Sequence, residues 1–247
     1  MSRTRSRRPG YDVSRAEAHL RAAHPRMGEL LDLVGPCALT VHNAQPFEAL
    51  AQSIVYQQLN GTAAATILGR VLDIYAPKPF PSPQDLLDTD DARLRAAGLS
   101  RAKMLAMKSL AQHALEGVVP TRAEALKLSN EELIERLTQV RGIGRWTVEM
   151  FLIFGLARPD VWPVLDFGVR KGLAMTYRKR HLPTPREAEP FARRFRPWSS
   201  VAAWYFWRAC ELEPEKLGLR SLPRPKPPAK KRRAKPAPRK AARTRSR

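Results

Sequence analysis

The sequence predicts an all-α protein, and two observations lead to this prediction. Apolar residues recur at three- and four-residue spacings through most of residues 11–219, and we find no convincing run of the strict alternation that marks a half-buried strand. Proline-rich loops at 77–83 and 159–163 separate the helical stretches. With 247 residues and 43% hydrophobic content, the chain can bury the core of one helical body with tails.

The helical stretches follow one another along the body with short breaks. The prolines at 77, 79, 81 and 83 end the fourth stretch before the fifth begins, and those at 159 and 163 separate the tenth from the eleventh. No fixed-period repeat is evident. The expected helices are 14–23, 27–33, 46–57, 61–75, 83–88, 90–97, 101–116, 121–126, 130–139, 145–156, 167–176, 186–194 and 199–211.

The charge of the chain is concentrated at its two ends. The formal net charge is +21, but residues 221–247 hold twelve Lys or Arg and no acid, and residues 1–10 hold four Arg. The predicted organisation is a basic disordered tail over 1–12, a folded domain over 13–220 and a Lys/Arg/Pro/Ala-rich disordered tail over 221–247. A cationic chain of this kind indicates a polyanionic partner, with nucleic acid first.

Several classes of site and location are disfavoured by composition. Cys37 and Cys210 are too few for a four-cysteine iron–sulfur cluster or a cysteine-rich zinc site, and five scattered histidines show no metal-ligand spacing. No apolar run reaches the roughly 18 residues of a membrane span, and the N-terminus has no apolar signal region. We therefore expect a cytoplasmic, nucleoid-associated monomer that needs no side-chain metal site.

A glycine hairpin lies between two amphipathic helical patterns in the motif at about 130–156. Ser129 and Glu132 give the first of these helices a capping-box start. Gly142 and Gly144 flank Ile143, which permits a tight turn whose backbone amides point outward at the start of the second helix. Outward amides at a helix N-terminus suit a phosphate group.

Asp166 stands between a proline-punctuated loop and the start of a helix. An isolated Asp at that place is often only an N-cap, which is one reading here. The segment before it is apolar and aromatic, so the carboxylate would also emerge beside a non-polar wall. The residues themselves leave a structural and a chemical role open.

The segment from Val140 to Thr147 (Val-Arg-Gly-Ile-Gly-Arg-Trp-Thr), with Asp166 twenty residues after Trp146, resembles the helix–hairpin–helix DNA glycosylase superfamily. The likeness is greatest to the 3-methyladenine DNA glycosylase II branch and covers about residues 45–212, with further matching segments at 54–65, 98–103 and 197–207. It implies a two-lobed helical fold with the active-site cleft between the lobes.

The resemblance assigns roles to individual residues. Asp166 matches the catalytic carboxylate, and Trp146, Met150 and Trp207 match the base pocket. Leu59 matches an apolar wedge that fills the space left by a flipped nucleotide; the alternative for Leu59 is an ordinary core leucine. Some of the tryptophans would serve only as core. Met150 departs from the branch, where an aromatic residue is common.

The hairpin would bind the phosphates of double-stranded DNA. In this family the hairpin carbonyls also hold a monovalent or divalent cation, a feature that leaves no side-chain signature. No iron–sulfur cluster is expected. The proposed phosphate-binding residues are Arg141, Gly142, Ile143, Gly144, Arg145 and Thr147.

The resemblance implies base excision of alkylated purines such as 3-methyladenine and 7-methylguanine. Members that also cleave the strand carry a Schiff-base lysine where this chain has Trp146, and an indole has no amine. The expected enzyme is therefore monofunctional, without lyase activity. The alternatives are a non-catalytic helix–hairpin–helix DNA-binding module and a glycosylase for oxidised bases.

Overall fold

The computed structural model describes residues 7–42 and 44–219. All thirteen expected helices are present in these residues, which confirms the all-α prediction. Their bounds are α1 Val13–Ala23, α2 Pro25–Val34, α3 Pro46–Tyr56, α4 Gly61–Asp73, α5 Pro83–Asp88, α6 Asp91–Ala96, α7 Arg101–Leu115, α8 Arg122–Ala125, α9 Asn130–Leu137, α10 Arg145–Met150, α11 Phe167–Thr176, α12 Pro185–Phe195 and α13 Ser199–Ala209, with a 3₁₀ turn at Pro214–Leu217.

The main departure from the expected helices is at the end of α10. The α-helix stops at Met150 and continues as a π-helical turn, Phe151–Gly155. The Phe151 ring lies directly against Gly155, where an added Cβ would come within 2.6 Å of the ring. A π turn widens the helix locally and occurs often at functional sites.

The capping box expected before α9 is present. The Ser129 amide donates to Glu132 Oε2 at 2.6 Å, and the Glu132 amide donates to Ser129 Oγ at 3.2 Å. These two bonds satisfy amides that a helix start leaves free, which fixes the N-terminus of α9.

The N-terminal segment differs in part from the expected disordered tail. Arg7 exchanges two backbone hydrogen bonds with Val41, at 3.0 and 2.8 Å, and Asp12 caps α1. The Tyr11 ring packs on Trp198 at 5.6 Å between centroids. Residues 7–12 therefore belong to the folded body. Residues 1–6 and 220–247, which include the expected C-terminal tail, lie outside the described residues.

The helices form two lobes. Helices α3 to α10 pack mainly on one another, with α7 lying against α3, α5 and α6. The second lobe combines the chain ends, since α1 and α2 pack with α11, α12 and α13. The loop from Leu156 to Asp166 joins the lobes. Within the described residues, no helix is long and apolar enough to cross a membrane.

Helices α11 and α13 approach so closely that their contact requires a glycine. A Cβ placed on Gly172 would lie 1.9 Å from the carbonyl oxygen of Phe206. The two backbones therefore touch at this point, and this spacing sets how Asp166, at the start of α11, faces α13.

We expect Gly172→Ala to destabilise the protein by about 3 kcal/mol, the upper end for overpacking, because a rigid backbone atom must move to admit the methyl group. The melting temperature should fall by roughly 6 °C or more. Gly69→Ala is the matched control: it lies inside α4 with open space around its Cβ, and helix propensity should make it neutral or stabilising by up to about 1 kcal/mol. Equal melting temperatures for the two variants would contradict the close α11–α13 contact.

Candidate active site and DNA interface

Asp166 is the N-cap of α11. Its Oδ1 accepts a hydrogen bond from the Val169 amide at 2.7 Å. The loop before it is held by a turn in which the Asp166 amide donates to the carbonyl of Pro163 at 2.9 Å. Asp166 is therefore a helix N-cap, as one of the two interpretations predicted. The cap uses only Oδ1, so it does not explain the position of Oδ2.

Two tryptophans from different lobes donate to the same carboxylate. Trp146 Nε1, at the start of α10, donates to Asp166 Oδ2 at 2.7 Å. Trp207 Nε1, on α13, donates to Asp166 Oδ1 at 2.9 Å. Three residues that the sequence singled out from distant segments thus meet at one point, on the boundary between the lobes.

An aromatic surface extends from these tryptophans. The Phe154 ring stacks on Trp207, with centroids 5.6 Å apart and planes inclined by 26°. Met150 is partly buried against the core between Trp146 and Phe154 in sequence. The sequence prediction missed Phe154, although the four-residue spacing of 146, 150 and 154 places the three side chains along one face of a helix.

The two residues that follow Asp166 differ in what surrounds them. Phe167 is 62% exposed, so a large apolar side chain stands free beside the acid. Gly168 is required by space, since a Cβ there would lie 2.8 Å from Trp207 Cδ1 and 3.1 Å from Asp166 Oδ1. A side chain at this position would push Trp207 away from the carboxylate.

Leu59 lies on the turn between α3 and α4, which we call the wedge turn (residues 57–60). Its side chain is 39% exposed, so it is not an ordinary core leucine. Gln58 before it has a φ of 56°, in the left-handed region that favours glycine. A large apolar side chain is therefore presented outward from a strained turn.

The glycine hairpin (residues 141–144) is anchored at its centre. Ile143 is 4% exposed and its amide donates to the carbonyl of Val140 at 3.0 Å, so this residue fixes the hairpin in the core. Gly142 has a φ of 79°. Gly144 is the N-cap of α10 and supplies no capping side chain. The uncapped amides consequently begin at Gly144, at the start of the helix.

The two arginines that flank the hairpin differ in whether an acidic side chain already neutralises their charge. Arg145 pairs with Glu131 at 2.8 Å and with Glu149 at 3.0 Å, so its charge is already compensated. The Arg141 side chain is exposed, whereas Thr147 is buried. Arg141 is thus better placed than Arg145 for a contact with DNA.

Glu149 is a buried carboxylate that sequence reasoning did not single out. It is 1% exposed; its Oε1 accepts from Arg145, and its Oε2 has no hydrogen-bond partner. Burial raises the pKa of this carboxyl from its ordinary value of 4.5 to about 7, against the opposing effect of Arg145. The charges of Glu131 and Asp166 add to the upward shift.

Metal sites were searched among the residues that the structure describes. There, no group of three or more His, Cys, Asp or Glu side chains could hold a metal ion. Cys37 and Cys210 are both free thiols. On the hairpin, the carbonyl of Gly142 accepts a hydrogen bond from the side chain of Gln57 at 2.9 Å.

Comparisons with known proteins identify the family of the chain. DNA-3-methyladenine glycosylase 1 of Schizosaccharomyces pombe is 39% identical over 81% of this chain and 89% of its own length. Among solved structures, the S. pombe 3-methyladenine DNA glycosylase Mag1 in complex with abasic DNA superimposes with a TM-score of 0.73 at 39% identity, covering 81% of this chain and 98% of that one. A DNA-3-methyladenine glycosidase from Bacillus halodurans gives 0.72 at 29% identity, covering 83% and 92%. Residues 51–197 match the family described as HhH-GPD superfamily base excision DNA repair protein, and the chain belongs to this family.

Proposed function

We propose that this protein is a monofunctional DNA glycosylase that removes alkylated purines, of the 3-methyladenine and 7-methylguanine type, from double-stranded DNA. The observation that carries the proposal is the Asp166 carboxylate held by Trp146 and Trp207 from opposite lobes. The names of its relatives support the substrate class. Such an enzyme would act on chromosomal DNA in the cytoplasm, as a monomer.

Asp166 is suited to assist hydrolysis of the bond between the base and C1′ of the sugar. A carboxylate offers about four acceptor positions, and the bonds from Val169, Trp146 and Trp207 occupy three. The remaining position can orient a water molecule or face the positive charge that develops on the sugar. The oxygen of the water adds at C1′ and one proton of the water passes to Asp166, while the cationic base departs with the bonding electrons as a neutral purine.

Selection of the base follows from the charge of the lesion. Purines alkylated at N3 or N7 are cationic, and a cation over an indole face gains about 0.5–2 kcal/mol. Trp146 is 43% exposed, and Phe154 and Met150 extend the apolar surface beyond it. A cationic damaged base flipped out of the helix would therefore bind this surface more tightly than a neutral base. No hydrogen bonds specific to the edge of the base are needed for this preference.

Two alternatives receive less support. A pure DNA-binding module has no need of an acid held by two tryptophans from opposite lobes. A glycosylase with lyase activity needs an amine at the reacting carbon, and the side chain at the matching position is Trp146.

DNA would be gripped at two places on the same lobe. The amides that begin at Gly144 would bind one phosphate, with Gly142 and Arg141 beside them. Leu59 would enter the stack where the damaged nucleotide leaves. A cation held by the other hairpin carbonyls would be compatible with this grip.

We expect Asp166→Asn to slow base release by at least about a hundredfold, the lower end of general-base catalysis. Asn keeps one oxygen for the Val169 and Trp207 donors, so α11 should stay capped. Its amide nitrogen would face Trp146 Nε1 and lose that hydrogen bond, so the melting temperature should fall modestly while the protein stays folded. The measurement is release of free 3-methyladenine from methylated duplex DNA, followed by a strand-cleavage gel with and without alkali. Near-normal release would remove Asp166 from the mechanism, and strand cleavage without alkali would contradict a monofunctional enzyme.

We expect Leu59→Ala to weaken capture of the flipped nucleotide and to lower single-turnover excision by about tenfold or more. The exposed leucine would become buried only when it enters the base stack, and burial of a leucine side chain is worth about 1.5–3 kcal/mol. Salt-dependent binding to undamaged DNA should be nearly unchanged, since phosphate contacts dominate it. Leu33→Ala, an equally exposed leucine on α2, should leave both quantities unchanged. An equal loss of undamaged-DNA binding in the Leu59 variant would argue against the wedge role.

Glu149 is the other carboxyl group near the site, and its raised pKa is the one property that would suggest a catalytic role for it. It is enclosed by the protein and bonded to Arg145, so neither water nor a sugar can reach it as the structure stands. Its titration should therefore influence stability more than chemistry. Because the folded protein keeps a proton that the unfolded chain has lost between about pH 4.5 and 7, stability should fall as pH rises through that range.

We expect Glu149→Gln to raise the melting temperature relative to wild type by roughly 2–6 °C more at pH 8 than at pH 5.5. One pKa unit corresponds to about 1.4 kcal/mol, and about 1 kcal/mol moves the melting temperature of such a domain by roughly 2–4 °C. Glu135→Gln, an exposed glutamate on α9 that lies outside the cluster of Arg145, Glu131 and Glu149, should show no comparable pH dependence. Parallel behaviour of the two variants would contradict the raised pKa of Glu149.

A further inference from the structure

The wedge turn and the glycine hairpin are joined by a direct hydrogen bond. Gln57 Nε2 donates to the carbonyl oxygen of Gly142 at 2.9 Å, although the two residues are 85 positions apart. Gln57 is the C-cap of α3, where its own amide donates to the carbonyl of Ser53 at 3.1 Å. The bond therefore links the first residue of the wedge turn to the first glycine of the hairpin.

One face of α7 supports both elements. Lys103 Nζ donates to a carbonyl in the last turn of α3 at 2.6 Å, and Ser109 Oγ accepts from the amide of Arg141 at 3.1 Å. Between them lies Ala106, whose Cβ would be 3.1 Å from a Cβ placed on Gly142. The three-residue spacing of 103, 106 and 109 puts these contacts on one side of the helix.

The wedge turn is held in an unfavourable conformation from both ends. Gln58 occupies the left-handed region, which is costly for a residue with a side chain. Asn60 fixes the other end, because its Oδ1 accepts from the Ala63 amide at 2.8 Å and caps α4. A strained turn persists only where contacts with the surrounding structure offset the strain. Here Gln57 supplies such a contact, because its side chain donates to the carbonyl of Gly142 outside the turn.

We infer that Gln57 is a positioning residue, whose amide holds the Leu59 wedge and the DNA-binding hairpin in one rigid arrangement. The inference rests on the proposed function, because it takes Leu59 as the wedge and the hairpin as the phosphate grip. Gln57 does not reach the reacting atoms. It holds Leu59 and the hairpin at a fixed distance and orientation before DNA binds. Less conformational entropy is then lost on binding than if the two segments moved independently.

The first experiment measures wedge insertion without base release. Duplex DNA carries a tetrahydrofuran abasic analogue with 2-aminopurine beside it, whose fluorescence rises when stacking is disturbed. Gln57→Met keeps the side-chain length and removes the donor, and Gln52→Met on the same helix is the control. We expect a smaller fluorescence rise for Gln57→Met alone, with binding to undamaged DNA within about twofold of wild type.

The second experiment is a double-mutant cycle on single-turnover excision of 7-methylguanine. Gln57→Met should lower the rate by about two- to tenfold, the range for a lost neutral hydrogen bond. If Gln57 acts through the wedge, the same change should have no further effect in a Leu59→Ala background. A merely structural role would give the same fold-loss in both backgrounds and a lower melting temperature.

The outcomes separate this inference from the proposed function. An equal loss in both backgrounds, or an unchanged fluorescence rise in Gln57→Met, would overturn the positioning role of Gln57. A wild-type protein that raises the fluorescence but releases no methylated base would refute the proposed function, while the fluorescence comparison would still decide the role of Gln57. A wild-type protein that gives no fluorescence rise would refute the wedge and the inference with it.

Discussion

The carboxylate of Asp166 is a point at which side chains of the two lobes are joined by hydrogen bonds. It receives hydrogen bonds from the start of its own helix, from Trp146 on one lobe and from Trp207 on the other. An indole is a donor only, so the tryptophans can orient the acid but cannot take its proton or replace it as a base. Two glycines permit this arrangement. Gly172 lets α11 and α13 pack closely, and Gly168 leaves room for Trp207 beside the carboxylate.

Local patterns in the sequence were sufficient for the helices, whereas the roles proposed for Asp166, Trp146 and Trp207 follow from the resemblance to a known family. Spacing, prolines and the Ser129–Glu132 capping box depend on neighbouring residues, and the structure confirms them. Phe154 could also have been found, since it continues the four-residue spacing from Trp146. These features are predictable because each is determined within one or two helical turns.

Other features depend on which segments meet in space. The sequence did not predict that the Arg145 guanidinium pairs with Glu131, fourteen residues away, and with buried Glu149. Ile143 stands in the centre of an exposed motif and yet is buried, because the hairpin needs an apolar anchor. Likewise, the bond from Gln57 to Gly142 joins two motifs that appear unrelated along the chain. No local periodicity encodes such partners, since they arise only when α3, α7 and the hairpin pack together.

The residue at position 146 connects the fold to the type of reaction. In strand-cleaving members that this sequence resembles, the matching position carries a lysine that attacks the sugar. An indole at this position removes the nucleophile, and it also supplies the N–H that holds Asp166 Oδ2. The same side chain therefore cannot form a Schiff base with the sugar and also fixes the orientation of the acid. Its ring remains 43% exposed, and the face of an indole attracts a cation. An alkylated purine needs no more than this, because its positive charge already weakens the bond to the sugar, whereas a neutral base would require stronger activation than one oriented carboxylate supplies.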